Sequence, residues 1–240
     1  MAKIHIILQG KGGVGKSFIA SVLAQYKQSK EQQPLCIDTD PVNATFNGFK
    51  SLNAIRLQIM DGDEINSRNF DALVELIAPA TEDVIIDNGA SSFVPLSHYL
   101  ISNNVPALLK DLGHNLLVHT VITGSQAMND TINGFATIVN SFSTNEIVVW
   151  LNPYWGVIEH EGKSFEQMKV YVNNKNRVSA IVKIPSWKEE TFGRDIADML
   201  QARQTFDEAI GNTASTIMTR QRLKIAKTQL FDLLTNAAVL

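Results

Sequence analysis

The sequence predicts a three-layer α/β fold, a mostly parallel sheet flanked by helices. Three observations lead there. Short apolar runs alternate with longer amphipathic stretches along all 240 residues, the pattern of repeated strand–helix units. Several runs, such as Val84-Ile85-Ile86 and Ile147-Val148-Val149-Trp150-Leu151, are continuous rather than alternating, as strands covered on both faces are. A glycine-rich segment at residues 10–17 falls between the first apolar run and the first amphipathic stretch.

Taken in order, the runs at 4–9, 35–38, 57–60, 84–87, 116–122, 147–151 and 178–184 are short and apolar and read as strands. The amphipathic stretches at 16–30, 69–77, 125–142, 164–173 and 213–235 are long enough to read as helices between and after them. Along the last of these and just past its end, Leu223, Ala226, Leu230, Leu233, Leu234 and Ala237 line up as a stripe. That stripe suits packing on the sheet, with the cations of Arg220, Arg222, Lys224 and Lys227 left in solvent. No repeat, low-complexity tract or linker interrupts the pattern, so one domain over 1–240 is expected.

Composition narrows the function classes. With 45% hydrophobic residues the chain can bury one sizeable core. A net charge of -3 gives no overall attraction to nucleic acid or anionic lipid, so contact with DNA or membrane would need a local basic patch. The single cysteine, Cys36, cannot form an internal disulfide, and no Cys/His spacing suits zinc or an iron–sulfur cluster. The five histidines are scattered and predict no metal site. No apolar run approaches the ~18 residues of a spanning helix. A cytoplasmic, reducing location is expected.

Gly10-Lys11-Gly12-Gly13-Val14-Gly15-Lys16-Ser17 matches G-x-x-x-x-G-K-[ST] between a predicted strand and a predicted helix. Glycines let successive backbone N–H groups converge on phosphate oxygens, and the following helix start adds a partial positive charge. Lys16 would reach the β- and γ-phosphates of ATP or GTP, and Ser17 would ligate Mg²⁺. Asp38-Thr39-Asp40-Pro41 follows the second predicted strand, where open α/β sheets bind ligands. Asp87 closes Val84-Ile85-Ile86 and reads as a Mg²⁺-binding carboxylate. The polar and aromatic segment at 150–161 reads equally as a partner or substrate loop and as a packed connection.

Lys11 is not required by the loop pattern, and with it the segment resembles the deviant phosphate loop of the ParA/MinD ATPases, a branch of the P-loop NTPase fold. The resemblance implies that Lys11 acts on the nucleotide of a partner subunit in a nucleotide-dependent homodimer, where a cation stabilises the transferring phosphoryl group. Asp38-x-Asp40-Pro41 resembles the family's first switch, which implies that Asp40 orients the attacking water while Asp38 supports the Mg²⁺ site. Asn152 and Ile184-Pro185 occupy family positions implied to contact and enclose the base. ATP is implied over GTP, since no Asn-Lys-x-Asp guanine signature is present. Asn88-Gly89-Ala90-Ser91 departs from the family, many of whose members carry a proline soon after this acid, and so leaves hydrolysis rate and partner coupling open. The family also includes members whose C-terminal helix meets membrane or whose basic patches meet DNA. Residues 38–46, 87–93 and 150–156 further resemble a family of bacterial plasmid conjugal-transfer proteins, implying an accessory ATPase partnered with conjugation proteins. A nucleotide-gated binding module with negligible hydrolysis, and a metabolic P-loop enzyme acting on a small molecule, are the alternatives.

Overall fold

The computed structural model describes residues 1–237. The chain runs β1 (Lys3–Ile7), α1 (Lys16–Ser29), β2 (Leu35–Asp38), β3 (Ile55–Arg56), a hairpin of β4 (Met60–Asp61) and β5 (Glu64–Ile65), then α2 (Asp71–Ile77) and β6 (Val84–Asp87). It continues through α3 (Phe93–Ser102), α4 (Val105–Asp111), β7 (Asn115–Thr123), α5 (Met128–Ser141) and β8 (Glu146–Asn152). A second hairpin, β9 (Glu159–His160) and β10 (Lys163–Ser164), precedes α6 (Lys169–Val172), β11 (Val178–Lys183), α7 (Arg194–Gln201), α8 (Phe206–Gly211) and α9 (Ile217–Asn236).

Seven strands form one sheet in the order β11-β8-β7-β1-β6-β2-β3, with every neighbouring pair parallel. Alternation along each strand explains why the runs are apolar throughout. Ile4 and Ile6 of β1 face one layer, where Leu73, Leu96, Leu109, Phe135 and Ile138 of α2 to α5 cover them. Ile7, with Ile85 and Trp150, faces the other, under Ile19 and Leu23 of α1 and Leu223, Ala226, Leu230 and Leu234 of α9. Both faces of the sheet are thereby removed from water. Because the strands are parallel, the segments after β1, β2, β6, β7 and β8 all emerge at one edge.

The strand expected at 57–60 is corrected. Pairing with β2 occurs two residues earlier, at Ile55 and Arg56, and ends with the Leu57 N–H donating to the Asp38 carbonyl at 2.9 Å. Leu57 and Ile59 are buried without being strand, and Met60 opens the hairpin. The helix expected at 164–173 is also broken. Ser164 pairs with Glu159, its capping box with Gln167 starts only a 3₁₀ turn, and Met168 at ψ 143° interrupts the chain before α6. Helices α3, α4, α7 and α8 were not expected. The C-terminal helix is present, and its apolar stripe is packed in the core.

Candidate functional site

The loop after β1 begins at Gln9, whose side chain is buried. Its amide Nε2 donates to the carbonyls of Val121 (3.0 Å) and Thr131 (3.1 Å), while its Oε1 accepts the Gly10 N–H at 2.9 Å. This fixes the direction in which the loop leaves the sheet. Gly13 and Gly15 take φ of 73° and 100°, the left-handed region open to glycine. Gly15 caps α1, so the loop ends on a helix N-terminus. Lys16 is buried, and its Nζ donates to the Lys11 carbonyl at 2.9 Å. Burial lowers its pKa, and Asp87 and Asp40 oppose that shift.

Asp38 and Asp87 are register partners at the ends of neighbouring strands, which sets two carboxylates side by side. The Asp38 oxygens accept backbone N–H groups from Asp40 (2.9 Å) and Asn47 (2.8 Å). Expected as a metal ligand, Asp38 thus has each oxygen engaged in holding its own loop. Burial raises its pKa, against the lowering effect of these backbone bonds. Asp40 Oδ1 accepts the N–H groups of Val42 and Asn43, both at 2.9 Å. Its carboxylate rests on Gly89, where a Cβ would come within 2.7 Å of Asp40 Cγ, so a side chain there would displace the Asp40 carboxylate. Asp87 is buried, receives a hydrogen bond from the Ser17 side chain, and has an Oδ1 without a hydrogen-bond partner. Burial, with Asp38 and Asp40 adding to it, pushes its pKa up to about 7, against the Ser17 bond and Lys16.

The two acidic loops are tied together. Thr39 Oγ1 donates toward Asn88 Oδ1 at 3.0 Å, Ser92 Oγ donates toward the same oxygen at 2.8 Å, and Asn88 Nδ2 donates to the Gly89 carbonyl at 2.9 Å. Asn88, the departure noted in the sequence, is therefore a buried junction. Lys11 lies outside this cluster, where its Nζ pairs with Asp130 Oδ2 in α5 at 2.7 Å with both side chains about half exposed. Such a pair is worth about 0–1 kcal/mol and yields readily to a stronger partner.

Residues 5–217 match the family described as the CobQ/CobB/MinD/ParA nucleotide binding domain. The chain belongs to that nucleotide-binding family. The span matched by the CobQ/CobB/MinD/ParA domain takes in the glycine loop, the acids, Asn152 and Pro185, and leaves nearly all of α9 outside. Two Escherichia coli proteins called TraL are 71% and 68% identical to the chain over the whole length of both. Among solved structures, a plasmid partition protein of Borrelia burgdorferi B31 bound to AMPPNP matches with a TM-score of 0.51 at 15% identity, covering 98% of this chain and 99% of that one. The Aquifex aeolicus MinC:MinD cell division complex matches at 0.50 and 14% identity, covering 96% of each chain. At these identities the likeness speaks for the fold.

Other residues expected at the site of this CobQ/CobB/MinD/ParA-type domain sit as follows. Asn152 ends β8 with its Nδ2 donating to the Val14 carbonyl (2.9 Å) and its Oδ1 accepting the Tyr154 N–H (3.2 Å). Pro185 is half-buried beyond β11, the strand next to β8, and the Ile184 N–H donates to the Leu151 carbonyl. Gln9 and Asp130 were not expected; Trp155, part of the polar and aromatic segment noted in the sequence, turns its Nε1 to donate to the Gly13 carbonyl at 3.1 Å. Among the described residues, no group of three or more His, Cys, Asp or Glu is placed to hold a metal alone, and no helix is long and apolar enough to cross a membrane.

Proposed function

We propose that the chain is a single-domain, Mg²⁺-dependent ATP-binding protein and weak ATPase that forms a nucleotide-dependent homodimer and serves as a cytoplasmic switch in bacterial plasmid conjugation. The observation that carries the chemistry is the buried Asp87 oxygen without a partner, set beside Ser17, Lys16, Asp38 and Asp40. Three acids around one lysine leave negative charge that a divalent cation would offset. Mg²⁺ at nucleotide sites takes only one or two protein oxygens, the rest coming from phosphate and water. Ser17 and Asp87 fit that need, with Asp38 supporting it by charge. Bound there, Mg²⁺ would neutralise phosphate charge.

In this reading the N–H groups of residues 10–17 and Lys16 hold the phosphates. Lys16 leaves the Lys11 carbonyl to do so. Asp40, pinned by two backbone donors and seated on Gly89, orients the attacking water. Lys11 exchanges Asp130 for the nucleotide of the other subunit. Support for pairing comes from the exposed Val42, Val94, Tyr154, Trp155 and Val157, apolar side chains on segments following the strands that carry the site. The conjugation role is supported by the whole-length likeness to the TraL proteins.

Two variants test this reading. Lys16→Ala abolishes ATP binding, whereas Lys11→Ala keeps binding but loses pairing and phosphate release. A Lys11→Ala protein that still paired and hydrolysed ATP would overturn the pairing model and favour an enzyme acting on a small molecule. A gated binding module is the second reading, favoured by the Asn88 junction, which ties both acidic loops into one unit. Tight ATP binding with phosphate release at background would select it.

A further inference from the structure

We infer that the start of the segment after β8 clamps the phosphate loop, with Asn152 and Trp155 as positioning residues that hold loop carbonyls away from the bound phosphates. The inference rests on the nucleotide-binding reading of that loop. A cradle made of backbone meets a difficulty of sign, because every peptide that offers a donor also carries an acceptor. A carbonyl turned toward a phosphate repels it, so the cradle works only if the loop's carbonyls are held elsewhere.

Three carbonyls of this loop have side-chain donors. Lys11 O receives Lys16 Nζ, Gly13 O receives Trp155 Nε1 and Val14 O receives Asn152 Nδ2. The first bond is lost when Lys16 turns to phosphate. The other two come from a different strand end, 142 and 138 residues away in the chain, and need not change. The Asn152 amide is nearly buried and its orientation is set, since Oδ1 accepts the Tyr154 N–H and Nδ2 must then face Val14. It also abuts the next residue, because a Cβ on Gly15 would lie 2.8 Å from Nδ2. The Trp155 indole can only donate, so its N–H suits a carbonyl and nothing else nearby needs to choose. The Tyr154 ring stands edge-on to it at 86° with centroids 5.2 Å apart, which steadies the indole. The clamp therefore acts on the cradle for phosphate.

The test compares Mg²⁺-ATP with Mg²⁺-tripolyphosphate, which has the phosphates and no base, by calorimetric titration of the full chain. Trp155→Phe keeps the ring and loses only the N–H, and should weaken both ligands by the same factor, about three- to tenfold. Asn152→Ala should act in the same direction and also on both. Melting temperatures of the two ligand-free variants separate lost positioning from lost fold. The half-exposed Trp155 makes its phenylalanine variant the safer of the two. If either residue served the base, its variant would weaken ATP and leave tripolyphosphate unchanged, and the clamp would be wrong for it. Unchanged binding of both ligands by Trp155→Phe would equally overturn it. A wild-type chain that bound neither ligand would remove the nucleotide-binding reading itself.

Discussion

At the scale of single residues, Asp87 carries the largest unmet demand. It is buried at a strand end, engages Ser17, and faces two more acids with Lys16 as the nearby cation. A carboxylate kept in such a place costs stability in the ligand-free protein. We expect Asp87→Asn to stabilise that form near neutral pH by on the order of 1 kcal/mol or more, read as a raised melting temperature. The same variant should lose the Mg²⁺-dependent part of ATP affinity, measured by titration with and without chelator. A variant with unchanged stability and an intact Mg²⁺ effect would place the demand elsewhere. Asp87 was legible because an acid closing an apolar run is a local pattern. Gln9 and Asp130 were not, and for Trp155 only its segment was, since each acts on a group more than a hundred residues away and leaves no spacing to read.

At the scale of elements, β1, β7 and β8 are joined through a buried polar chain on the face covered by α1 and α9. Trp150 Nε1 donates to His119 Nδ1 at 2.9 Å, which fixes the neutral tautomer, so His119 Nε2 donates to His5 Nδ1 at 3.0 Å. His5 Nε2 then carries a proton with no hydrogen-bond partner. Burial lowers both pKa values, His119 to about 3, with His119 and Lys27 adding to the effect on His5 and Lys27 to that on His119. The unfolded chain takes up protons near 6.5 that the folded chain refuses. Stability should therefore fall as pH drops below about 6.5, by about 1.4 kcal/mol per pH unit for each histidine once both are charged in the unfolded chain. Asp87 shifts the opposite way, so the clean readout is a difference. Urea midpoints between pH 7.5 and 5 should fall less steeply for His5→Phe than for the wild type, and equal slopes would contradict the neutral chain.

The elements themselves were legible where burial on both faces made an apolar run unambiguous, as in β6 and β8. Reading failed where tertiary contact overrode local pattern. Leu57 and Ile59 alternate like a strand, yet they are buried in the core beyond the end of the ladder. Between Phe93 and Asp111, Asn104 at φ 53° divides one apolar stretch into α3 and α4. The Thr205 and Glu208 capping box that opens α8 was a usable signal.

At the scale of the whole molecule, the parallel sheet gathers the loop, both acidic segments and the β8 clamp at one edge, and exposed apolar side chains accompany them there. A net charge of -3 leaves no general attraction to polyanions. The central claim is that bound ATP converts this edge into a subunit contact. Size-exclusion chromatography with light scattering tests it most directly, run without nucleotide, with ADP, and with a nonhydrolysable ATP analogue plus Mg²⁺. The account predicts the 26.5 kDa mass of one chain in the first two conditions and twice that mass in the third. A mass that stayed the same in all three would contradict it.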